Sequence, residues 1–304
     1  MTVEKLFQNF VHQVETSDLQ MEGIAVADEQ RVLFEHHFTP DLPRNIYSHT
    51  KSYMSTVAGI AIGEGKLALD DKLTDLCPES VPENADPKVY EITLRHLLTM
   101  SSGFDQPYLM QKDRRSGVGM PDFLAYMMKQ PMKLHPGERF CYSSADSIMA
   151  VRMIEKAVGM TMGEYTYRRL FSPLGQGWPI WEHDYLGHAN GNGGLFLKLT
   201  EMMKLGQLYL ADGIWQGNRI VDAGWVKEAT TKQIETPGSE DGWRCGYGYQ
   251  FWMSPYQNGY RCSGSFGQDT VVLPESGLVV SIQCPESGDF QKVLPVFREL
   301  LEQL

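Results

Sequence analysis

The chain has 304 residues, 42% of them hydrophobic, enough to bury a full core as one large domain or two interleaved ones. Its net charge of −11, with 27 scattered Lys and Arg, offers no basic field to a phosphate backbone and argues against nucleic-acid binding. No apolar run approaches the roughly 18 residues of a membrane span. The five cysteines (Cys77, Cys141, Cys245, Cys262, Cys284) form no C-x-x-C pair and cannot all be bridged, which fits a reducing cytoplasm.

In chain order, Val3, Leu6, Phe7, Phe10 and Val14 recur at helical spacing among charged residues, predicting an amphipathic helix rather than a signal peptide. "GIAVA" (Gly23 to Ala27) and "RVLFEHHF" (Arg31 to Phe38) flank the turn "DEQ" and read as a hairpin. The adjacent His36 and His37 project to opposite faces of that strand and cannot chelate one metal; they read as surface residues. Next comes "NIYSHTKSYMSTVAGIAIGEG", where Met54, Val57, Ala58 and Ala61 recur at helical spacing and small residues fill the other sides. A helix buried almost all round begins there, with Ser48 and Lys51 on one face of its polar entrance.

The middle is helical. "SADSIMAVRMIEKAVG" stops at Gly159, and "TEMMKLGQLYLADG" opens on a candidate N-cap, Thr200, and stops at Gly213. Between them "HANGNGG" (His188 to Gly194) lacks the strand-to-helix order of a phosphate loop and reads as a tight turn, with His183 and His188 structural. Strands return in "YGYQFWM" (Tyr247 to Met253), "QDTVVL" (Gln268 to Leu273) and "GLVVSIQ" (Gly277 to Gln283), the last two joined by "PESG". A final amphipathic helix carries Phe290, Val293, Leu294, Phe297 and Leu301, with Pro295 near its start or at a kink. The economical arrangement is α+β: one domain over 1–304, whose antiparallel sheet is built from about 1–66 and 214–304, with a helical part, about 67–213, inserted.

Chemistry concentrates at Ser48 and Lys51. A buried amine loses hydration, its pKa falls, and it becomes a proton acceptor for a serine within reach. The bland alternative makes Ser48 an N-cap and Lys51 a solvated first-turn residue, since a lone Ser-x-x-Lys arises by chance.

Six ordered blocks tip the balance: the Ser-x-x-Lys helix running into "GIAIGEGKLALDDKLTDLCPE", "ITLRHLLTMSSGF", "PGERFCYSSADSIMAVRMIEKAVGMTMGEYTYRRLFSPLG", "GNGGLFLKLTEMMKLGQLYLADG", "CGYGYQFWM" and "CSGSFGQDTVVLPESG". Over nearly its full length the chain resembles the serine β-lactamase-like superfamily of class C β-lactamases, D-alanyl-D-alanine peptidases, related esterases and 6-aminohexanoate-dimer hydrolases. The resemblance implies the β-lactamase/transpeptidase-like fold, no metal or other cofactor, Ser48 as nucleophile, and Lys51 with Tyr142 as general base and acid. In that scheme the lysine's charge depresses the tyrosine's pKa so that a phenolate can serve as base. The oxyanion would be held by the backbone N–H groups of Ser48 and Ser265, with Gly264 and Gly267 permitting close approach.

Two departures bear on substrate. Where relatives end the tyrosine motif in asparagine, this chain has Ser144, and where they carry Lys-Thr-Gly or His-Thr-Gly it has Cys262-Ser263-Gly264. The cation that holds a β-lactam carboxylate is therefore missing, and Arg261 should point away from Cys262. Efficient β-lactamase activity is not expected; a small-molecule ester or amide is. The alternative is a catalytically reduced, penicillin-binding-like protein that uses the same cleft for a ligand or partner, against which the intact Ser48, Lys51 and Tyr142 argue. Trp178, Trp181, Trp243 and Trp252 read as core, though Trp178 and Trp181, in a Pro/Gly-rich loop, could also line an apolar acyl pocket. Cys262 reads as inert and partly buried, but near enough to the nucleophile to test by alkylation.

Overall fold

The computed structural model describes residues 2–238 and 242–304. The amphipathic start forms α1 (Val3–Thr16), which buries Leu6, Phe7, Phe10, Val11 and Val14. The predicted hairpin is β1 (Gly23–Ala27) and β2 (Val32–His37), and the all-round apolar helix is α2 (Thr50–Gly63), buried from Thr50 through Ala61. In the helical middle, α3 (Ser144–Val158) is capped by the Ser143 side chain and stops, where the sequence predicts, at Gly159, which adopts the left-handed conformation. Helix α4 (Leu199–Leu210) follows. The C-terminal part supplies β3 (Trp252–Met253), β4 (Tyr260–Gly264), β5 (Gln268–Leu273), β6 (Leu278–Gln283) and α5 (Phe290–Glu302), which holds Pro295 within it.

The strands form one antiparallel sheet in the order β2-β1-β6-β5-β4-β3, so the two ends of the chain meet where β1 pairs with β6, Gly23 opposite Gln283. One face packs with α1 and α5 around Phe7, Phe10, Ile24, Val271, Val280 and Phe297. The other face joins α2, α3 and α4 in the larger core. Helix α4 lies inside the stretch assigned by sequence to the helical part, yet it packs on the sheet. Gly206 permits that approach: a Cβ there would sit 2.6 Å from Val279 Cγ1.

Three expectations need correction. "YGYQFWM" is not a strand along its length; only Trp252 and Met253 pair in the sheet. Its alternating aromatics imitate strand periodicity, but Gln250 adopts φ +63°, and its side-chain amide donates to Leu97 O and Leu98 O and accepts from Ser147 Oγ. The segment is thus tied to the helices. Thr200 is not an N-cap: α4 starts at Leu199, and the Glu201 carboxylate accepts from the Lys198 N–H one turn back. Ser48 is not an N-cap either, since it lies in a 3₁₀ turn, Tyr47–His49, ahead of α2.

All five cysteines are free thiols. Among the described residues no helix is long and apolar enough to cross a membrane.

Candidate active site

The turn that carries Ser48 is pinned on three sides. Ile46 N–H donates to Leu195 O at 2.9 Å, and Tyr47 N–H to Asn45 Oδ1 at 2.9 Å. His49, fully buried, hydrogen-bonds through Nδ1 to Gln268 O at the start of β5 at 3.1 Å; burial holds its pKa down to about 3, so the ring is neutral and donates. From the β4 side Gly264 presses against the turn: a Cβ there would lie 2.1 Å from Ile46 O, so only glycine admits the contact. The β4–β5 turn, with Ser265 exposed at its start, is thereby held beside Ser48.

Lys51 is 1% exposed, and its amine donates to Ser48 Oγ at 3.1 Å and to Asn192 O at 2.8 Å. Burial, and after it the charge of Arg114, push its pKa down to about 7, against the opposing pull of Asp146. The amine lies 5.0 Å from the centre of the Tyr142 ring. Tyr142 precedes α3, stacks on Trp252 at 5.6 Å and hydrogen-bonds to Ser48. Burial pushes its phenol up to about 12, only partly countered by the Ser48 hydrogen bond and the charges of Arg244 and Arg261. Near neutrality burial thus makes a neutral Lys51 amine far more accessible than a Tyr142 phenolate, the base that the resemblance implies.

Three residues that sequence reasoning passed over complete the centre. Asn192, in the tight turn "HANGNGG", supplies the carbonyl that holds Lys51. Asp146, fully buried in α3, accepts from Ser102 Oγ at 2.8 Å, and burial lifts its carboxyl to about 7. Arg114, in the short helix Gln111–Arg115, reaches Asn192. Asp146 and Asn192 lie inside two of the ordered blocks without being singled out there, and Arg114 lies in none; only spatial neighbourhood joins the three.

The structure brings Ser48, Lys51, Tyr142 and the backbone of Gly264 and Ser265 together, with Ser144 buried at the start of α3 and in contact with Asn192. Other candidates fall outside. Cys262 is 1% exposed in the core under α2, hydrogen-bonded to Ser52, its thiol pushed up to about 12 by burial. Ser263 is committed elsewhere: it accepts from Arg261 Nη1 at 2.5 Å and hydrogen-bonds to the buried Asp269. Arg261 does lie across the strand from Cys262, stacked over Trp243 at 4.1 Å and donating to Trp243 O at 2.5 Å, and so does not replace the missing cation. The two tryptophans do not form an acyl pocket. Trp178 is 60% exposed against Tyr167, and Trp181 is buried, donating to Asn190 O at 2.9 Å and so bracing the Asn192 turn. His188 pairs with Glu155, and His37 with Glu35.

The burial of Cys262 yields an expected result. Iodoacetamide at pH 8 should modify only the half-buried Cys141 and Cys245 in the native protein, and Cys77, Cys262 and Cys284 only after unfolding. Peptide mapping reads this directly, and native modification of Cys262 would show that its pocket opens.

A six-stranded antiparallel sheet lies against a buried helix, with serine and lysine one turn apart and a tyrosine alongside, and this is the fold of a family of hydrolases. The chain belongs to the beta-lactamase family, whose model matches residues 3–293. A 6-aminohexanoate-dimer hydrolase of Paenarthrobacter ureafaciens is 24% identical over 278 residues, covering 82% of this chain and 68% of that protein. A lovastatin esterase of Penicillium rubens is 28% identical over 160 residues, a match that covers 45% of this chain and 40% of that relative's length. Among solved structures, a putative 6-aminohexanoate-dimer hydrolase from Bacillus anthracis superposes with TM-score 0.78 at 16% identity, covering 96% of this chain and 80% of that one, a likeness of fold.

Proposed function

We propose that this chain is a serine hydrolase that forms an acyl-enzyme on Ser48, acting on small esters or amides, with little action on β-lactams. One observation carries the reading: an amine lowered to about 7 sits 3.1 Å from a serine hydroxyl, which is a nucleophile beside its base. In the proposed cycle neutral Lys51 takes the Ser48 proton as Oγ attacks the carbonyl, and the Ser48 and Ser265 amides receive the oxyanion. Tyr142, protonated and bonded to Ser48, hands its proton to the leaving group and is reprotonated from Lys51. Water then deacylates the enzyme through the same groups in reverse. Esterase and dimer-hydrolase relatives support the substrate class, as does the uncharged Cys262 position. The catalytically reduced alternative gains nothing from the site, whose acid–base groups are assembled and poised.

The test is intact-mass measurement after exposure to a fluorophosphonate, p-nitrophenyl esters of varied chain length and benzylpenicillin. A stable phosphonyl adduct and turnover of short esters are expected, with kcat/KM at least about 100-fold above that for benzylpenicillin, roughly 2.7 kcal/mol. Failure of the fluorophosphonate to label the protein would sink the reading. Comparable efficiency on penicillin would assign the carboxylate contact to another cation, of which the exposed Arg244, whose charge reaches Tyr142, is the first to mutate.

A further inference from the structure

We propose that Arg114 is a positioning residue for the catalytic lysine, acting through Asn192 to hold the Lys51 amine against Ser48. The inference rests on the serine-hydrolase reading. Two guanidinium N–H groups can meet only an acceptor, and in the orientation that satisfies its neighbours the Asn192 carboxamide oxygen accepts from Arg114 Nη1 at 2.8 Å, Arg114 Nη2 at 3.2 Å and Ser144 Oγ at 3.2 Å. The same residue's main-chain carbonyl accepts from Lys51 Nζ at 2.8 Å. Asn192 is only 5% exposed, so its carboxamide cannot exchange these partners for solvent. Arg114 is itself fixed, donating through Nη1 to Leu109 O at 2.6 Å. Ser144 stands where the motif of the resembled family ends in asparagine, and the carboxamide it touches comes from a different loop, anchored by an arginine from a third segment.

The arrangement has an electrostatic consequence. The charged or titratable groups facing the Lys51 amine are Arg114 from its short helix, Asp146 from α3, and Tyr142 just before α3. Arg114 opposes protonation of the amine and Asp146 favours it, so the two set the pH at which the base becomes available, as one coupled unit. Removing the arginine should raise the amine's pKa; removing the carboxylate should lower it.

The test measures the rate of fluorophosphonate labelling of Ser48 against pH, which needs no knowledge of the natural substrate. In Arg114→Met the acid limb should move up by at least about half a pH unit, roughly threefold slower labelling below the limb. Arg114→Gln, which keeps an N–H for the carboxamide, should move it in the same direction and serves where methionine does not fold. Arg114→Lys should return the limb towards its original position, and Asp146→Asn should shift it down. A limb unmoved in the methionine and glutamine variants, with labelling uniformly slower or only thermal stability reduced, would overturn the proposal and leave Arg114 as a brace for its own loop. Absence of labelling in the unmodified protein would instead overturn the hydrolase reading itself.

Discussion

Ser48→Ala should abolish fluorophosphonate labelling and lower ester hydrolysis by at least about 10⁴-fold, since the neighbouring Tyr142 hydroxyl, its phenol pushed up to about 12, is a poor nucleophile. The expectation follows from the geometry. Among the described residues Lys51 Nζ hydrogen-bonds to one side-chain hydroxyl, Ser48 Oγ, and its other acceptor is a main-chain carbonyl that cannot attack. The fold should hardly notice the change. Ser48 caps no helix, and the turn is held by Ile46, Tyr47, His49 and Gly264 rather than by the serine hydroxyl. The expected stability change is within about 1 kcal/mol, readable as an almost unaltered thermal midpoint. Labelling that persisted in the alanine variant would locate the nucleophile at another serine and dismantle the scheme.

How much of this was legible beforehand depends on the distance over which each signal acts. The hairpin β1–β2, the terminal helices and the pair β5–β6 are written in local periodicity and turn chemistry, and they stand where the sequence places them. The stretch around Gln250 defeated the same rule, because its backbone answers to Leu98 and α2 instead of a neighbouring strand. Ser52 and Ser55 donate to the carbonyls of Gln250 and Tyr249 at 2.8 and 2.6 Å. The nucleophile and its lysine were visible because both lie within one turn. Asn192, Arg114 and Asp146 were not, since their relevance arises only when three distant segments close around one amine. Charge state was hidden for the same reason: which of Lys51 and Tyr142 keeps its proton depends on burial, a property of the assembled core.

Lys51→Met and Tyr142→Phe should therefore differ in the shape of their pH profiles more than in the size of their losses. If the amine is the base, the unaltered enzyme's kcat/KM should rise with pH through an acid limb near 7, where the amine gives up its proton. Methionine preserves the stem's packing and removes the base, so kcat should fall by about 10²–10⁴ and the limb near 7 should vanish. Residual activity should then climb only under alkaline conditions, as the phenol begins to ionise towards about 12. Phenylalanine at 142 removes a proton donor but leaves the stacking on Trp252 and the ring beneath the amine, so kcat should fall by about 10²–10³ while the limb near 7 survives. Leaving-group dependence adds a second discriminator. Esters of poorly acidic alcohols need the donated proton more than p-nitrophenyl esters do, so the loss in Tyr142→Phe should be steeper for them. The reverse pattern, a limb that disappears with the tyrosine and persists without the lysine, would make the phenolate the working base after all. Lys51 would then be the charge that tunes it.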